Sequence, residues 1–264
     1  GGTSGIGAET AKLFSSEGAK VLIVGRSEEK GKALAEDLGD SVIYEKADIT
    51  KEEEIKGAVE ATLQHFNQLD ILFNNAGGPV GAGIENVTQN DIDYGVHLLL
   101  ASVILGIKYA IEPMKAAGGG CIINNSSIAG LRYRQGDPLY AALKAGVTHY
   151  TRMAGVELGP HQIRVNSISP GAIATPIFYG GSQRANDLTN EENEKYRSML
   201  LHNCQFQYGE TDDVHTEPSG VVCDFNKIVS SGQQLDPHVN NMLGNLLDKI
   251  FENNNFLKNM TLYR

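Results

Sequence analysis

The run GGTSGIGAETAKLFSSEGAKVLIVG, Gly1 to Gly25, decides the fold. Gly1, Gly5 and Gly7 open it, and residues 5 to 17 then carry a helical pattern. A strand-like run, Lys20 to Gly25, follows. Such glycines allow a tight turn and a close approach of the backbone to a pyrophosphate, whose charge the N-terminus of the next helix favours. Turn, helix and strand at this spacing match a dinucleotide-binding βαβ unit. A flexible loop produces a lone glycine-rich run as well, so the reading rests on what the rest of the chain adds.

The rest alternates in the same way. SEEKGKALAEDL is a charged surface helix starting near Ser27, with Lys30 where a capping acid would stand, so its cap is partial. Residues 41 to 47 are a strand, and Thr50 is expected to cap KEEEIKGAVEATLQHF, whose first turn is rich in glutamate. LDILFNNAG is a buried strand running into a loop. Asn90 or Asp91 begins a long helix through about Ala117, stopped by the glycines at 118 to 120. CIINN is a strand, Pro138 to Leu158 a helix, and IRVNSISPG a strand that ends in a proline-led loop. Strands that alternate with helices and lack strict polar alternation predict an α/β fold, a doubly wound parallel sheet with helices on both faces. Ligands of such sheets bind at the C-terminal ends of the strands, where these loops leave.

A net charge of −10 disfavours nucleic acid and anionic membrane surfaces, while leaving room for a small anionic ligand at a local positive site. Cys121, Cys204 and Cys223 are too widely spaced for a zinc site or a disulfide framework, and Cys121 reads as a small core residue. The longest uncharged apolar tract, Leu98 to Ile107, is too short to cross a bilayer and reads as a buried helix segment.

The stretch SSIAGLRYRQGDPLYAALK, Ser126 to Lys144, carries the chemistry. Tyr140 and Lys144 stand four apart on a helix and so share a face. A phenol titrates too high for acid-base work at neutral pH, and a neighbouring ammonium is expected to lower it. Ser127, where a strand gives way to a loop, can steady a carbonyl or alcohol oxygen shared with Tyr140. His97, His149 and His161 are scattered and form no relay with a carboxylate.

GGTSGIG, Asp48 in ADIT, NNAG at Asn74 to Gly77, Ser126-Ser127, YAALK at Tyr140 to Lys144 and RVNSISPGAIATP at Arg164 to Pro176 occur in one order. With them the chain resembles the short-chain dehydrogenase/reductase family, in its short single-domain branch, over residues 1 to roughly 180. The resemblance implies a Rossmann-like single domain and an oxidoreductase that moves hydride between NADP or NAD and a secondary alcohol or carbonyl, with no metal. It implies Ser127, Tyr140 and Lys144 as catalytic residues. It places Gly1, Gly5, Ile6 and Gly7 at the pyrophosphate and Asp48 at the adenine. Asn74, Ala76 and Gly77 fall beside the adenosine ribose, Tyr140 and Lys144 at the nicotinamide ribose, and Pro170, Gly171, Ile173 and Thr175 along the nicotinamide. Where NAD-binding relatives carry an acid this chain has Gly25, followed by Arg26, which suits a 2′-phosphate and favours NADP.

The resemblance also implies a homo-dimer or homo-tetramer built on the two long helices, and a small alcohol or ketone as substrate. Two departures stand out. Leu99 occupies the place of a family asparagine that holds a water, so either another route carries the proton or turnover falls. The chain opens inside the glycine turn without the strand that should deliver it, which marks a fragment; that strand lies in mid-sheet, so residues 1 to 264 alone are expected to fold poorly. Residues 1 to 206 form the cofactor-binding domain, with a lid at 178 to 205, and residues 207 to 264 are a divergent, partly helical or poorly ordered region. A catalytically inactive cofactor-binding or interaction protein of the same fold is the alternative. The cytoplasm is the favoured location, with the presence of a targeting segment left open.

Overall fold

A computed structural model describes residues 1–171 and Thr175. The elements run α1 (Gly5–Ser16), β1 (Val21–Gly25), α2 (Glu28–Leu38), β2 (Val42–Lys46), α3 (Glu52–Phe66) and β3 (Ile71–Asn74). A short α4 (Gly83–Asn86), α5 (Gln89–Gly95), a π-helical segment (Val96–Ala101) and α6 (Ser102–Ala116) follow. The chain then forms β4 (Gly120–Asn125), a 3-10 turn (Ile128–Gly130), α7 (Pro138–Leu158), a second 3-10 turn (Gly159–His161) and β5 (Ile163–Ile168). Residues Gly1–Pro170 form one compact unit. The expected lid at 178–205, the boundary at 206 and the region after it lie outside the described residues, as does Ile173.

Every strand pair is parallel. β1 pairs with β2, and β4 lies between β3 and β5, with Ile122 opposite Leu72 on one side and Val165 on the other. Parallel strands put all their C-terminal ends at one edge, so the glycine turn, the NNAG loop and the Ser126-Ser127 loop gather there. The Gly2 amide donates to the Val24 carbonyl at 2.8 Å, and the Asn75 amide donates to the Gly1 carbonyl at 2.9 Å. The turn therefore sits between the ends of β1 and β3, two strands that are not paired with each other.

The larger core lies between β3–β5 and helices α3, α6 and α7. Val59, Val103, Ile107, Met114, Ile122, Val147 and Ile163 are buried in it. Each such side chain contributes roughly 1.5–3 kcal/mol relative to exposure. The helical run Gln89–Ala116 has the length and mean hydropathy (1.6) of a membrane span, which the short Leu98–Ile107 tract did not anticipate. Its apolar face, Leu98, Leu99, Val103, Ile107, Ala110 and Met114, is buried within the protein, so it is a core helix.

The helix ends differ from expectation in two places. Thr50 does not cap α3; its amide and hydroxyl both turn back to Asp48 Oδ1, at 3.0 and 2.8 Å. A carboxylate two residues upstream competes successfully for both donors, as in an Asx-turn. The helix expected from Asn90 or Asp91 begins at Gln89, because Thr88 and Asp91 form a reciprocal capping box. Ser27 caps α2 through the Lys30 amide at 3.4 Å, a long bond that fits the partial cap expected there. The span of α7 is the one read from sequence, with Asp137 capping the Leu139 amide and Pro138 in the first turn.

Candidate active site

Helix α7 aims Tyr140 and Lys144 at the end of β4, and Ser126 fixes that aim. Its buried hydroxyl donates to the Lys144 carbonyl at 2.9 Å and meets the Thr148 hydroxyl at 2.6 Å. The neighbouring Ser127 hydroxyl accepts from the Ala129 amide at 3.1 Å and lies near enough to the Tyr140 phenol to act on its ionisation. The two hydroxyls expected to share a substrate oxygen are thus neighbours.

The ammonium behaves otherwise than expected. Lys144 is only 4% exposed and donates from Nζ to the Asn125 carbonyl at 2.6 Å. Its Nζ stands 5.8 Å from the centroid of the Tyr140 ring, over the face. Burial lowers the lysine from 10.5 to about 8. Burial also raises the Tyr140 phenol, and the nearby Ser127 hydroxyl offsets part of that rise. The expected lowering of Tyr140 by Lys144 is therefore absent from this geometry, because desolvation outweighs a cation held by another acceptor. A phenol that keeps its proton is suited to donate one.

Leu99 lies under this pair. It is wholly buried in the π-helical segment and packs with Leu98, Leu143 and Tyr140. A Cβ added to Gly77 would lie 3.3 Å from Leu99 Cδ2 and 4.0 Å from Lys144 Nζ, so the three meet. That side of the lysine is hydrocarbon.

The glycine turn is built for close approach. A Cβ on Gly7 would run into the Gly1 carbonyl and the Asn75 side chain, so only glycine fits. Helix α1 starts there with no side-chain cap and no acid in its first turn, which leaves its amide end favourable to an anion. Ile6 lies in that first turn. Arg26 is exposed just beyond β1 and near enough to act on Asp48. Burial works against the Asp48 carboxylate, but the Thr50 bonds and the Arg26 charge outweigh it and hold its pKa low.

Asn74 is not beside the turn. Its amide donates to Asn124 Oδ1 at 2.8 Å, and Asn124 donates to the Thr151 hydroxyl at 2.9 Å, a buried link between β3, β4 and α7. Strand alternation puts the next residue on the other side, and Asn75 bonds Gly1. Asn75 also accepts from Asn125 Nδ2 at 2.8 Å. The roles of Ser126 and Asn125 were not singled out in the sequence, and the only signal was their adjacency to residues that were. Ala76 lies against Gly1, where a Cβ on the glycine would stand 2.5 Å from Ala76 Cα. The Pro170 carbonyl accepts from the Ile128 amide at 3.0 Å, tying the end of β5 to the turn that follows Ser127. Gly171 and Thr175 are described outside the compact unit that holds this site.

Asp137 adds a tie across the mouth. Its carboxylate caps Leu139 at 2.9 Å and accepts from the Gly83 amide at 2.8 Å, fastening the loop after β3 to the first turn of α7. Gly81, at φ +121°, passes so close that a Cβ would run into that carboxylate.

Comparison with known proteins agrees with this geometry. The family model described as short chain dehydrogenase matches residues 1–185. A trans-4-hydroxycyclohexanecarboxylate dehydrogenase of Sinomonas cyclohexanicum is 38% identical over 189 residues, covering 68% of this chain and 73% of that protein. A 3-alpha-(or 20-beta)-hydroxysteroid dehydrogenase of Mycobacterium bovis is 39% identical over 177 residues, 67% of this chain and 68% of its own. A crystal structure of 3-ketoacyl-(acyl-carrier-protein) reductase from Brucella melitensis, complexed with NADH, superposes with a TM-score of 0.66 at 34% identity. That match covers 69% of this chain and 76% of the reductase.

Proposed function

Because the chain belongs to the short-chain dehydrogenase family, and is an oxidoreductase of alcohols and carbonyls, we propose that Ser127, Tyr140 and Lys144 form its catalytic centre. The observation that carries this reading is the nearness of Ser127 and Tyr140 beside a buried lysine at the C-terminal edge of the sheet. The nicotinamide cofactor supplies or takes up the hydride. In carbonyl reduction Tyr140 donates its phenolic proton to the oxygen, and Ser127 holds that oxygen by its hydroxyl. In alcohol oxidation the phenolate form accepts the proton. Lys144, held by the Asn125 carbonyl at 2.6 Å, is placed to bind beside the nicotinamide ribose.

The residues fit a dinucleotide. The glycine turn and the uncapped end of α1 suit a diphosphate, and Asn125 presents a buried oxygen with no partner among the described residues. NADP is the proposed cofactor. At Gly25 a Cβ would lie 2.7 Å from Thr3 Cγ2, which leaves no room for an acid that would read a ribose diol. Arg26 stands next to it, exposed, with a guanidinium suited to a 2′-phosphate. The expected result for Arg26→Ala is a loss of about tenfold or more in NADPH affinity with NADH affinity nearly unchanged. Equal losses in a fluorescence titration of both cofactors would remove Arg26 from this role.

Two relatives are named for secondary hydroxyls of a cyclohexane and of a steroid, so secondary alcohols borne on or beside saturated rings, and their ketones, are the proposed substrate class. Helix α7 exposes Met153 and Val156, one turn apart, and these support assembly through that helix. Light scattering is expected to find a dimer or larger, and Val156→Glu to shift the protein toward monomer. A monomer at micromolar concentration in the unsubstituted protein would contradict this.

A further inference from the structure

One side chain in the site has a bonding pattern that its surroundings fix and leave incomplete. Asn125 ends β4, and alternation turns it away from the buried Asn124–Thr151 side. Its own carbonyl receives the Lys144 ammonium at 2.6 Å. Its side chain reaches the other way, to Asn75, which in turn holds the Gly1 carbonyl.

The order of atoms along this line follows from chemistry. The Gly1 carbonyl only accepts, so Asn75 must present its NH2 there and its Oδ1 toward Asn125. Asn125 must then present Nδ2 to Asn75. A flip of either amide would set like atoms against each other, so Asn125 Oδ1 is directed away from Asn75. This oxygen is buried and has no partner among the described residues. Leaving a buried carbonyl unpaired is costly, and native proteins rarely do so without a ligand or water to complete it. Hydrocarbon from Leu99 lines the lysine on another side and offers no donor.

We propose that Asn125 reads the nicotinamide half of the bound cofactor. Its Oδ1 accepts a hydrogen bond from a hydroxyl or amide N–H of that half, while the same residue holds Lys144 and Asn75 in place. This rests on the proposed function, since it needs a cofactor in the site. Asn75 plays the complementary part, bonding protein groups and supporting the glycine turn proposed to hold the pyrophosphate, one phosphate of which the adenine half carries.

Binding measurements separate the two. NADPH carries both halves, and adenosine 2′,5′-bisphosphate carries only the adenine half. Asn125→Leu is expected to weaken NADPH about tenfold while changing the bisphosphate by no more than about twofold. Asn75→Leu is expected to weaken both ligands alike. Asn125→Gln keeps both the donor to Asn75 and an acceptor and is expected to lose less NADPH affinity than Asn125→Leu, which serves if the leucine variant fails to fold. Equal effects of Asn125→Leu on both ligands, no effect on either, or, where the leucine variant does not fold, equal effects of Asn125→Gln on both ligands would each overturn the assignment. If the unsubstituted protein binds neither NADPH nor NADH, the cofactor reading and this inference fall together. If it binds and turns over while Asn125→Leu behaves like the parent, only the inference falls.

Discussion

Tyr140→Phe is expected to lower kcat by about a thousandfold while NADPH affinity stays within about threefold. The substitution removes one oxygen from a ring that is already packed against Leu99 and Leu143. The ring's packing survives, so the fold should too. What is lost is the proton that burial keeps on the phenol. Because the phenol sits above its ordinary value, carbonyl reduction should hold up into alkaline solution, and alcohol oxidation should rise with pH as the phenolate forms. Turnover within about threefold of the parent would reject Tyr140 as the group that exchanges the proton.

The second large effect concerns Lys144→Met. Activity is expected to fall by at least about a hundredfold, since the buried cation proposed to position the nicotinamide ribose disappears. Stability should respond differently. A lysine lowered from 10.5 to about 8 binds its proton less readily in the folded chain than in the unfolded one. Between those values the unfolded state holds more protons, so stability rises with pH through that window and is lower beneath it. The difference is on the order of 3 kcal/mol for a shift of that size. Urea unfolding of the parent should therefore show a higher midpoint near pH 10 than near pH 7. The methionine variant should lack most of that slope. A parent whose midpoint is flat across the window would mean that Lys144 titrates near its ordinary value.

Much of this was legible in the sequence, and the reasons differ by residue. The span of α7 could be read because Asp137 and Pro138 are strong local start signals and Gly159 ends the pattern. The turn at Gly1–Gly7 could be read because only glycine tolerates its close contacts. The division of labour between Asn74 and Asn75 could not be read, because a one-residue step in a strand reverses the face, and the face depends on where β3 meets β4. Thr50 was expected to cap because a threonine before three glutamates looks like a cap; the competing acceptor, Asp48, acts through loop geometry that no spacing reveals. The pKa of Tyr140 went the other way for a similar reason. Sequence spacing puts Lys144 on its face, but only the fold shows that the ammonium is engaged by the Asn125 carbonyl.

The central claim is that this chain passes hydride between NADPH and a carbonyl carbon while Tyr140 handles the proton. Reduction of a ring ketone with NADPH deuterated at the transferring position of the nicotinamide tests it most directly. The account predicts deuterium bound to the carbinol carbon of the product, with none there when the deuterium is supplied only by the solvent, and almost no labelled product from Tyr140→Phe. Label from the solvent at that carbon, or labelled product formed equally fast by Tyr140→Phe, would contradict it.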